Sequence, residues 1–271
     1  MYAVDLHNHT RFFHGFGRAA AVYDPLGYTL HAIAGRLRGL DGLALTNHDY
    51  YRPFVGAGVT AIPGVEVSTT DGHVLVVGPN PPVTTTPGTL TPEETVDLAH
   101  ERGCAAIIAH PFRDSSVRDS DATFDAVEIN GKHPHTWERV RSLAAERDLP
   151  IVGGSDAHFP IEVGRAYTLI DADELTPESV AAAVRDGRVD WGTTSDPTSK
   201  VVHRAYRYVH GRKGHWKDWP PTEHAPSPAE VGGPADAVDT VGTADAGDAA
   251  EGTGGDDPGL EGGDSRPDGG G

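Results

Sequence analysis

The chain alternates short apolar runs with longer runs in which apolar residues recur at helical spacing. Short runs rich in Val, Ile and Ala predict strands. These runs are Ala3–Leu6, Gly42–Thr46, Thr60–Val67, His73–Val77, Ala105–Ala109, Ala126–Asn130, Ile151–Gly154 and Ala166–Ile170. The helical patterns are Pro25–Leu40, Pro92–Arg102, Trp137–Arg147 and Pro177–Asp186. This alternation favours an α/β protein with parallel strands and helical crossovers, as a barrel or an open sheet.

The composition shows where the charge lies. The 271 residues include 22 Lys and Arg against 40 Asp and Glu, which gives a formal net charge of −18. Residues 221–271 hold 12 acidic residues and one basic residue, so −11 lies there and −7 on residues 1–220. Because this segment has almost no large apolar side chains, we predict a disordered acidic tail over 220–271. The acid-rich, lysine-poor remainder is typical of proteins from salt-loving microbes, and a GC-rich genome produces the same bias.

Several classes of protein are excluded by what the chain lacks. The single cysteine, Cys104, excludes an intramolecular disulfide framework and a multi-cysteine zinc module. No stretch approaches the roughly 20 apolar residues that span a bilayer. We therefore expect a cytoplasmic protein with no membrane partner. The acidic balance argues against sequence-independent binding to nucleic acid, although it does not exclude a local basic site.

Histidines and carboxylates stand at the ends of nearly all the predicted strands. They are His7, His9, His48, Asp49, Glu66, His110, His133, His135, Asp156 and His158. The carboxyl ends of parallel strands share one face, so these side chains should converge there although about 150 positions separate them in the sequence. Imidazole together with carboxylate suits Zn, Mn or Fe, and a carboxylate between two ions makes a multinuclear site. The pattern therefore predicts a hydrolytic metal centre.

The segments DLHNHT, TNHD, GVEVS, AHPF and GSDAH, in that order, resemble the PHP family (polymerase and histidinol phosphatase). The likeness spans roughly residues 3–171. It implies a metal-dependent phosphoesterase on a distorted seven-stranded TIM-like β/α barrel. We expect this domain to cover residues 1–219, with a short C-terminal extension over about 172–219.

The resemblance also implies a ligand set for two or three divalent ions of Mn, Zn or Fe. The first ion takes His7, His9, Glu66 and Asp156. Glu66 bridges to a second ion, which takes His110 and a residue after the sixth strand. That residue is His133 or His135, and His133 is nearer to the end of the strand. If neither binds, the site holds two ions. The third ion takes His14, His48 and His158.

The implied reaction is in-line attack of metal-bound hydroxide on phosphorus. Asp49 and His158 are candidate proton donors to the leaving alkoxide. Arg113 and Arg165 are candidate phosphate ligands, against a simple surface or ion-pair role. His73 could line the pocket, but we expect a hydrogen-bonded histidine at a strand edge.

The predicted substrate is a small phosphomonoester, a nucleotide or a nucleic-acid end, and no obligate protein partner is expected. One alternative is a non-catalytic metal-binding module that serves a partner. A less favoured one is an amidohydrolase-like C–N hydrolase. That class calls for a lysine late in a strand, and this chain has none before Lys132.

Overall fold

The computed structural model describes residues 1–10, 17–54, 58–113 and 115–194. The predicted ligand His14, the predicted domain end at 219 and the predicted tail 220–271 lie outside these ranges. The strands are β1 (Tyr2–Asn8), β2 (Gly42–Leu45), β3 (Thr60–Thr69), β4 (Gly72–Val77), β5 (Ala105–Ile108), β6 (Ala126–Asn130), β7 (Ile151–Gly154), β8 (Ala166–Ile170) and β9 (Val189–Thr193). The helices are α1 (Gly17–Leu37), α2 (Pro92–Glu101), α3 (Trp137–Arg147) and α4 (Pro177–Arg185).

Every predicted strand and helix is therefore present, and β9 is an additional strand that the pattern did not predict. Threonine caps fix two helix starts. Thr91 accepts a hydrogen bond from the Glu94 amide, and the Glu94 carboxylate accepts one from the Thr91 amide. Among the helices of the described residues, none is both long and apolar enough to cross a membrane.

The strands form one mixed sheet in the order β7-β6-β5-β4-β3-β2-β1-β8-β9. β1, β2 and β3 are parallel to one another, as are β5, β6 and β7. β4 runs antiparallel to both β3 and β5, and β8 runs antiparallel to β1. The expectation of parallel strands throughout is therefore wrong for β4 and β8. The connection from β3 to β4 is too short for a crossover helix, since only Thr70 and Asp71 separate these strands.

The sheet curls into a nearly closed barrel, which confirms the predicted fold class for the described residues. Beyond the end of β7, the Ala157 carbonyl accepts a hydrogen bond from the His9 amide at 2.8 Å. The Thr168 hydroxyl on β8 also bonds the Gly153 backbone on β7, 2.9 Å from its nitrogen and 3.0 Å from its oxygen. These contacts join the two ends of the sheet.

Apolar side chains fill the lower part of the barrel, and α4 covers its base. The inward cluster contains Val4, Leu6, Ala44, Ile62, Leu75, Val77, Ala105, Ile107, Val152 and Ile170. Val180 and Val184 of α4 pack into the same cluster. Helices α2 and α3 cover the outer face of β3 to β6, and α1 covers β1 and β2. Polar groups at the carboxyl ends of the strands therefore lie on a packed apolar floor.

A bulge in β1 decides which of its residues face the interior. Asp5 pairs with Leu43 and Asn8 with Leu45, so β1 uses three steps where β2 uses two. The extra residue breaks the alternation of the strand. Val4 and Leu6 face the barrel, and the bulge also turns His7 and His9 inward.

Candidate metal centre

Glu66 lies at the centre of a cluster of five imidazoles at the mouth of the barrel. Its Oε2 atom is within 3.3 Å of nitrogens from three histidines, namely His7 (3.2 Å), His9 (3.1 Å) and His48 (3.3 Å). Its Oε1 atom faces His110 at 2.9 Å and His73 at 3.1 Å. The carboxylate is 1% exposed. Each oxygen thus has its own set of imidazole neighbours, which is the arrangement of a carboxylate that bridges two cations.

Charge in this cluster is strongly coupled. Burial alone would raise the pKa of the Glu66 carboxyl, but the surrounding imidazoles, His48 and His7 foremost, hold it well below its usual range. Burial alone would lower the pKa of His7, and the neighbouring carboxylates, Glu128 foremost, raise it well above the ordinary histidine value. The carboxylates therefore favour positive charge at this site, either as a bound cation or as a proton on His7.

His73 joins this cluster, although we expected only a hydrogen-bonded histidine at a strand edge. Its Nδ1 lies 3.1 Å from Glu66 Oε1 and 3.4 Å from His110 Nε2. In the β3–β4 ladder, Leu75 pairs with Glu66 and His73 is two residues before it, so all three side chains share the inner face. The alternation of His73, Leu75 and Val77 is the signal that could have identified it.

Asp156 forms the second acidic part of the site, directly after β7. Its Oδ1 lies 3.4 Å from His9 Nε2 and 3.2 Å from the Lys132 ammonium, and its Oδ2 lies 3.4 Å from Arg113. Although burial alone would raise the pKa of this carboxyl, its cationic neighbours, Lys132 foremost, hold it well below the usual range. Lys132 is 3% exposed, and the sequence patterns did not point to it.

Glu128 supports the cluster from below, on the inner face of β6. Its Oε1 accepts from His7 Nδ1 at 2.7 Å, and its Oε2 accepts from the His110 amide at 2.8 Å and the Asn130 side chain at 3.2 Å. Gly154 leaves room for it, because a Cβ at that position would lie 2.3 Å from Glu128 Oε1. This contact leaves His7 Nε2 free to bind an ion.

The structure does not bring His133 or His135 into the donor clusters. Three sets of donor atoms, each with all atoms within 4.8 Å of one another, occur in the described part of the chain. They are His9, His48 and His158, then His7, His9 and Glu66, and finally His48, Glu66 and His73. Burial, with Arg113 nearby, lowers the pKa of His133 to about 4. From the end of β6, Lys132 is the residue that contacts Asp156.

The remaining predicted residues lie around the rim. Both carboxylate oxygens of Asp49 accept hydrogen bonds, from the Ser68 amide and hydroxyl and from the Thr85 hydroxyl, at 2.7–2.9 Å. Arg165 is buried beside Glu162, 3.6 Å away. The Arg113 side chain is 43% exposed and spans from Asp156 to solvent. Asp49 therefore fastens the loop after β2 to β3, and Arg113 is the more accessible of the two arginines.

The donor set fits divalent cations. It consists of imidazole nitrogens and carboxylate oxygens, which Zn, Mn and Fe all accept. His7 Nε2 and His9 Nε2 lie 3.1 Å apart with Glu66 Oε2 beside both, a geometry in which one ion can share three donors. Of the predicted ligands, His7, His9, His48, Glu66, His110, Asp156 and His158 are brought together here.

Comparisons with known proteins show what this chain is similar to. A family model described as PHP-associated matches residues 134–189. The uncharacterized protein MJ0417 of Methanocaldococcus jannaschii is 32% identical over 139 residues, which are 44% of this chain and 57% of that protein. The chain thus spans little more than half the length of this relative.

Two solved structures show the same fold. PsfC from Pseudomonas syringae PB-5123 has a TM-score of 0.59 and 20% identity, over 77% of this chain and 98% of that chain. The second is a two-domain protein from Bacteroides vulgatus ATCC 8482 that contains a predicted PHP-like metal-dependent phosphoesterase. It has a TM-score of 0.51 and 20% identity, over 71% of this chain and 64% of that chain.

Proposed function

We propose that the chain is a PHP-type metal-dependent phosphoesterase acting on a phosphomonoester, a nucleotide or a nucleic-acid end. The observation that carries the proposal is the Glu66 carboxylate with imidazoles at both oxygens. A bridging carboxylate with histidine ligands is the arrangement of multinuclear hydrolytic sites.

The side chains divide into two groups around Glu66. His7, His9 and Asp156 lie on the Oε2 side and would hold one ion, while His110 and His73 lie on the Oε1 side and would hold another. Bound Zn, Mn or Fe would supply Lewis acidity and lower the pKa of a coordinated water. The apolar floor beneath the cluster keeps bulk solvent from the inner side of these ligands.

Arg113 is the proposed phosphate-binding residue. Its half-exposed guanidinium lies 3.4 Å from Asp156, so it stands at the rim with donors turned both to the site and to solvent. A guanidinium binds phosphate oxygens through two parallel hydrogen bonds. Arg165 is buried and lies 3.6 Å from the Glu162 carboxylate, which favours a supporting role for this second arginine.

His158 is proposed to donate a hydrogen bond to the leaving alkoxide as a neutral imidazole, because burial, with Lys132 beside it, lowers its pKa well below the ordinary histidine value. Its ring centroid lies 4.3 Å from that of His9, and 18% of its side chain is exposed, so it borders both the cluster and the cleft. Asp49 is a weaker candidate because both of its oxygens are already occupied by Ser68 and Thr85. A general acid needs to reach the leaving oxygen within hydrogen-bond distance.

The test is a metal assay followed by a substrate panel. Protein loaded with Mn or Zn should release phosphate from at least one of p-nitrophenyl phosphate, nucleotides and short oligonucleotides. His7→Ala should lose both metal and turnover, while His135→Ala, a matched change at an exposed histidine, should keep both. Lack of turnover on every phosphate ester by fully metallated protein would refute the enzyme proposal and favour a non-catalytic module.

The C–N hydrolase alternative has a separate readout. In a site of the amidohydrolase kind a lysine would be expected in the bridging role, and here the Glu66 carboxylate has the bridging geometry. Ammonia or amine release from a panel of cyclic amides distinguishes the two reactions. We expect none.

A further inference from the structure

Helix α1 presents an apolar stripe to solvent on the side away from the barrel. Its inner side is buried through Tyr28 and Ala32, which pack with the apolar residues of β2. Of the eight large apolar side chains that are exposed in the described residues, four lie on the outer side of this helix, and they are between 37% and 82% exposed. They are Leu26, Leu30, Ile33 and Leu37. Such a concentration of exposed apolar side chains marks a surface that packs against another element.

The spacing of this outer stripe is that of a seam between two helices. Its successive members are four, three and four residues apart, which is the repeat with which one helix packs along another. Leu37 follows Leu26 by eleven residues, so the stripe is about 16 Å long at 1.5 Å per residue. A helix of about three turns would cover it.

The last described residue, Thr194, lies beside the C-terminal end of α1. Its amide donates to the Arg165 carbonyl at 3.2 Å, and its hydroxyl donates to the Gly164 carbonyl at 2.8 Å. Gly164 in turn is adjacent to the residues that follow α1, since a Cβ at that position would lie 3.2 Å from the Leu40 side chain and 3.6 Å from the Arg38 side chain. The chain beyond Thr194 therefore starts close to one end of the stripe.

The sequence beyond Thr194, which lies outside the described residues, predicts a helix of the required length. Ser199 is a favoured N-cap and Gly211 a favoured helix end, and the eleven residues KVVHRAYRYVH stand between them. At helical spacing the apolar residues fall on one side, with Tyr206 at its border, and the basic residues fall on the other. The apolar side holds Val201, Val202, Ala205, Tyr208 and Val209, and the basic side holds Lys200, His203, Arg204 and Arg207.

We propose that residues 200–210 form a helix that packs antiparallel on the outer stripe of α1, with Val201 beside Leu37 and Tyr208 beside Leu30. The intervals of four and three residues on the segment match those on α1 in the opposite direction. The five residues 195–199 span at most roughly 17 Å, so the segment begins near the C-terminal end of α1 and runs back along it. A linker this short gives an effective concentration of about a millimolar or more, which favours this segment over a second copy of the chain.

This direction has a consequence for the residues after Gly211. Helix α1 follows β1, whose carboxyl end lies at the mouth of the barrel, so the N-terminal end of α1 is nearest to the mouth. An antiparallel segment therefore carries Arg212 and Lys213 from the base of the barrel toward its mouth. The docked segment makes the C-terminal extension part of the folded domain.

Engineered cysteine pairs in the full-length chain test both contact and direction. Leu37→Cys with Val201→Cys should form an intrachain disulfide on mild oxidation, identified by mass spectrometry of peptides. Leu30→Cys with Val201→Cys should react at least tenfold more slowly, because the two positions on α1 are about 10 Å apart along the helix and a disulfide needs close Cα atoms. Cys104 is buried, so it does not compete. Equal rates, no bond in the first pair, or bonds only between two chains would overturn the proposal.

Amide hydrogen exchange followed by mass spectrometry tests the docking without cross-links. Peptides from residues 200–210 should exchange at least tenfold more slowly in the wild-type protein than as free peptides, and Ile33→Lys should abolish this protection by placing a charge in the stripe. Val83→Lys is the matched control, because Val83 is an exposed apolar residue in the loop between β4 and α2, and it should keep the protection. Unprotected amides in the wild type, or protection that persists in folded Ile33→Lys, would overturn the proposal. Neither experiment needs bound metal or turnover, so its failure is distinct from failure of the proposed function.

Discussion

Glu128→Gln is the substitution whose effect on the site can be worked out most fully, because it keeps the shape of the side chain and changes one oxygen. In the wild type, Oε1 accepts from His7 and Oε2 accepts from the His110 amide and from Asn130. Every contact of this buried carboxylate is thus with a donor. A glutamine must present its NH₂ group to one side or the other.

Each orientation of the glutamine has its own cost. With NH₂ toward His7, Nδ1 must become an acceptor, so the proton moves to Nε2 and blocks the atom that faces Glu66. With NH₂ toward the other side, the His110 amide and the Asn130 side chain both lose their acceptor, at about 1–3 kcal/mol for each buried donor. Loss of a carboxylate behind a metal-bound histidine typically lowers metal affinity about 10- to 100-fold. We expect the tightest zinc site to weaken by that factor.

A competition titration of zinc against a chromophoric chelator measures this change, with circular dichroism to verify the fold. Glu138→Gln is the control, because this exposed glutamate on α3 pairs with Arg141 at the helix surface and is not among the donor clusters. It should leave the zinc affinity unchanged. A folded Glu128→Gln protein whose zinc affinity is within twofold of the wild type would refute the reasoning.

Three further predictions follow from the same contacts. Glu66→Gln should retain less than half of the wild-type metal, measured as ions per chain, because both sides of the cluster lose a charged donor; full metal content would contradict the bridging role. Gly154→Ala should lower the free energy of unfolding by about 1–3 kcal/mol, because the new Cβ would lie 2.3 Å from Glu128 Oε1 and 2.6 Å from the His7 Cβ. An unchanged midpoint in urea unfolding would contradict this prediction. Burial raises the pKa of Asp5 from 3.8 to about 6. Because the folded state binds this proton more tightly than the unfolded state, Asp5 should contribute most to the stability of the metal-free protein below about pH 4. About 3 kcal/mol of the free energy of unfolding should be lost as the pH rises to about 6. Asp5→Asn should lack this loss in urea unfolding with a chelator, and identical pH slopes would contradict the assignment.

The positions of the strands were predictable from the sequence, but the direction of β4 was not deduced. Apolar runs such as Ala105–Ala109 stand out because they are buried on both faces. The alternation of strands and helices then suggested crossovers everywhere. The short connection between β3 and β4 was visible in the sequence and indicates a hairpin, because no helix fits into it.

The candidate site was predictable where a residue stands at a strand end within a motif, as with His9, Glu66 and Asp156. His73 could not be assigned in this way, because its contact with Glu66 depends on the register of a hairpin. The residue after β6 depends on a turn. The Lys132 amide donates to Asn130 Oδ1, and this turn buries Lys132 and leaves His133 outside the donor clusters. Neighbouring residues in such a turn have different side-chain directions, which residue type alone does not encode.

The bulge in β1 has a consequence for how this protein can change through mutation. β1 pairs with β2 on both sides of the extra residue, and with β8 through Tyr2, Ala3 and Val4, which precede it. Deleting Leu6 would remove the extra residue and leave Val4, His7 and His9 in regular alternation, so the histidines would still face the interior. A single codon deletion would thus shorten β1 and take one apolar side chain from the barrel floor without turning the metal ligands away. The length of this strand and the direction of its histidines can therefore change independently, so homologous chains that differ by one residue in β1 can be aligned on the histidines.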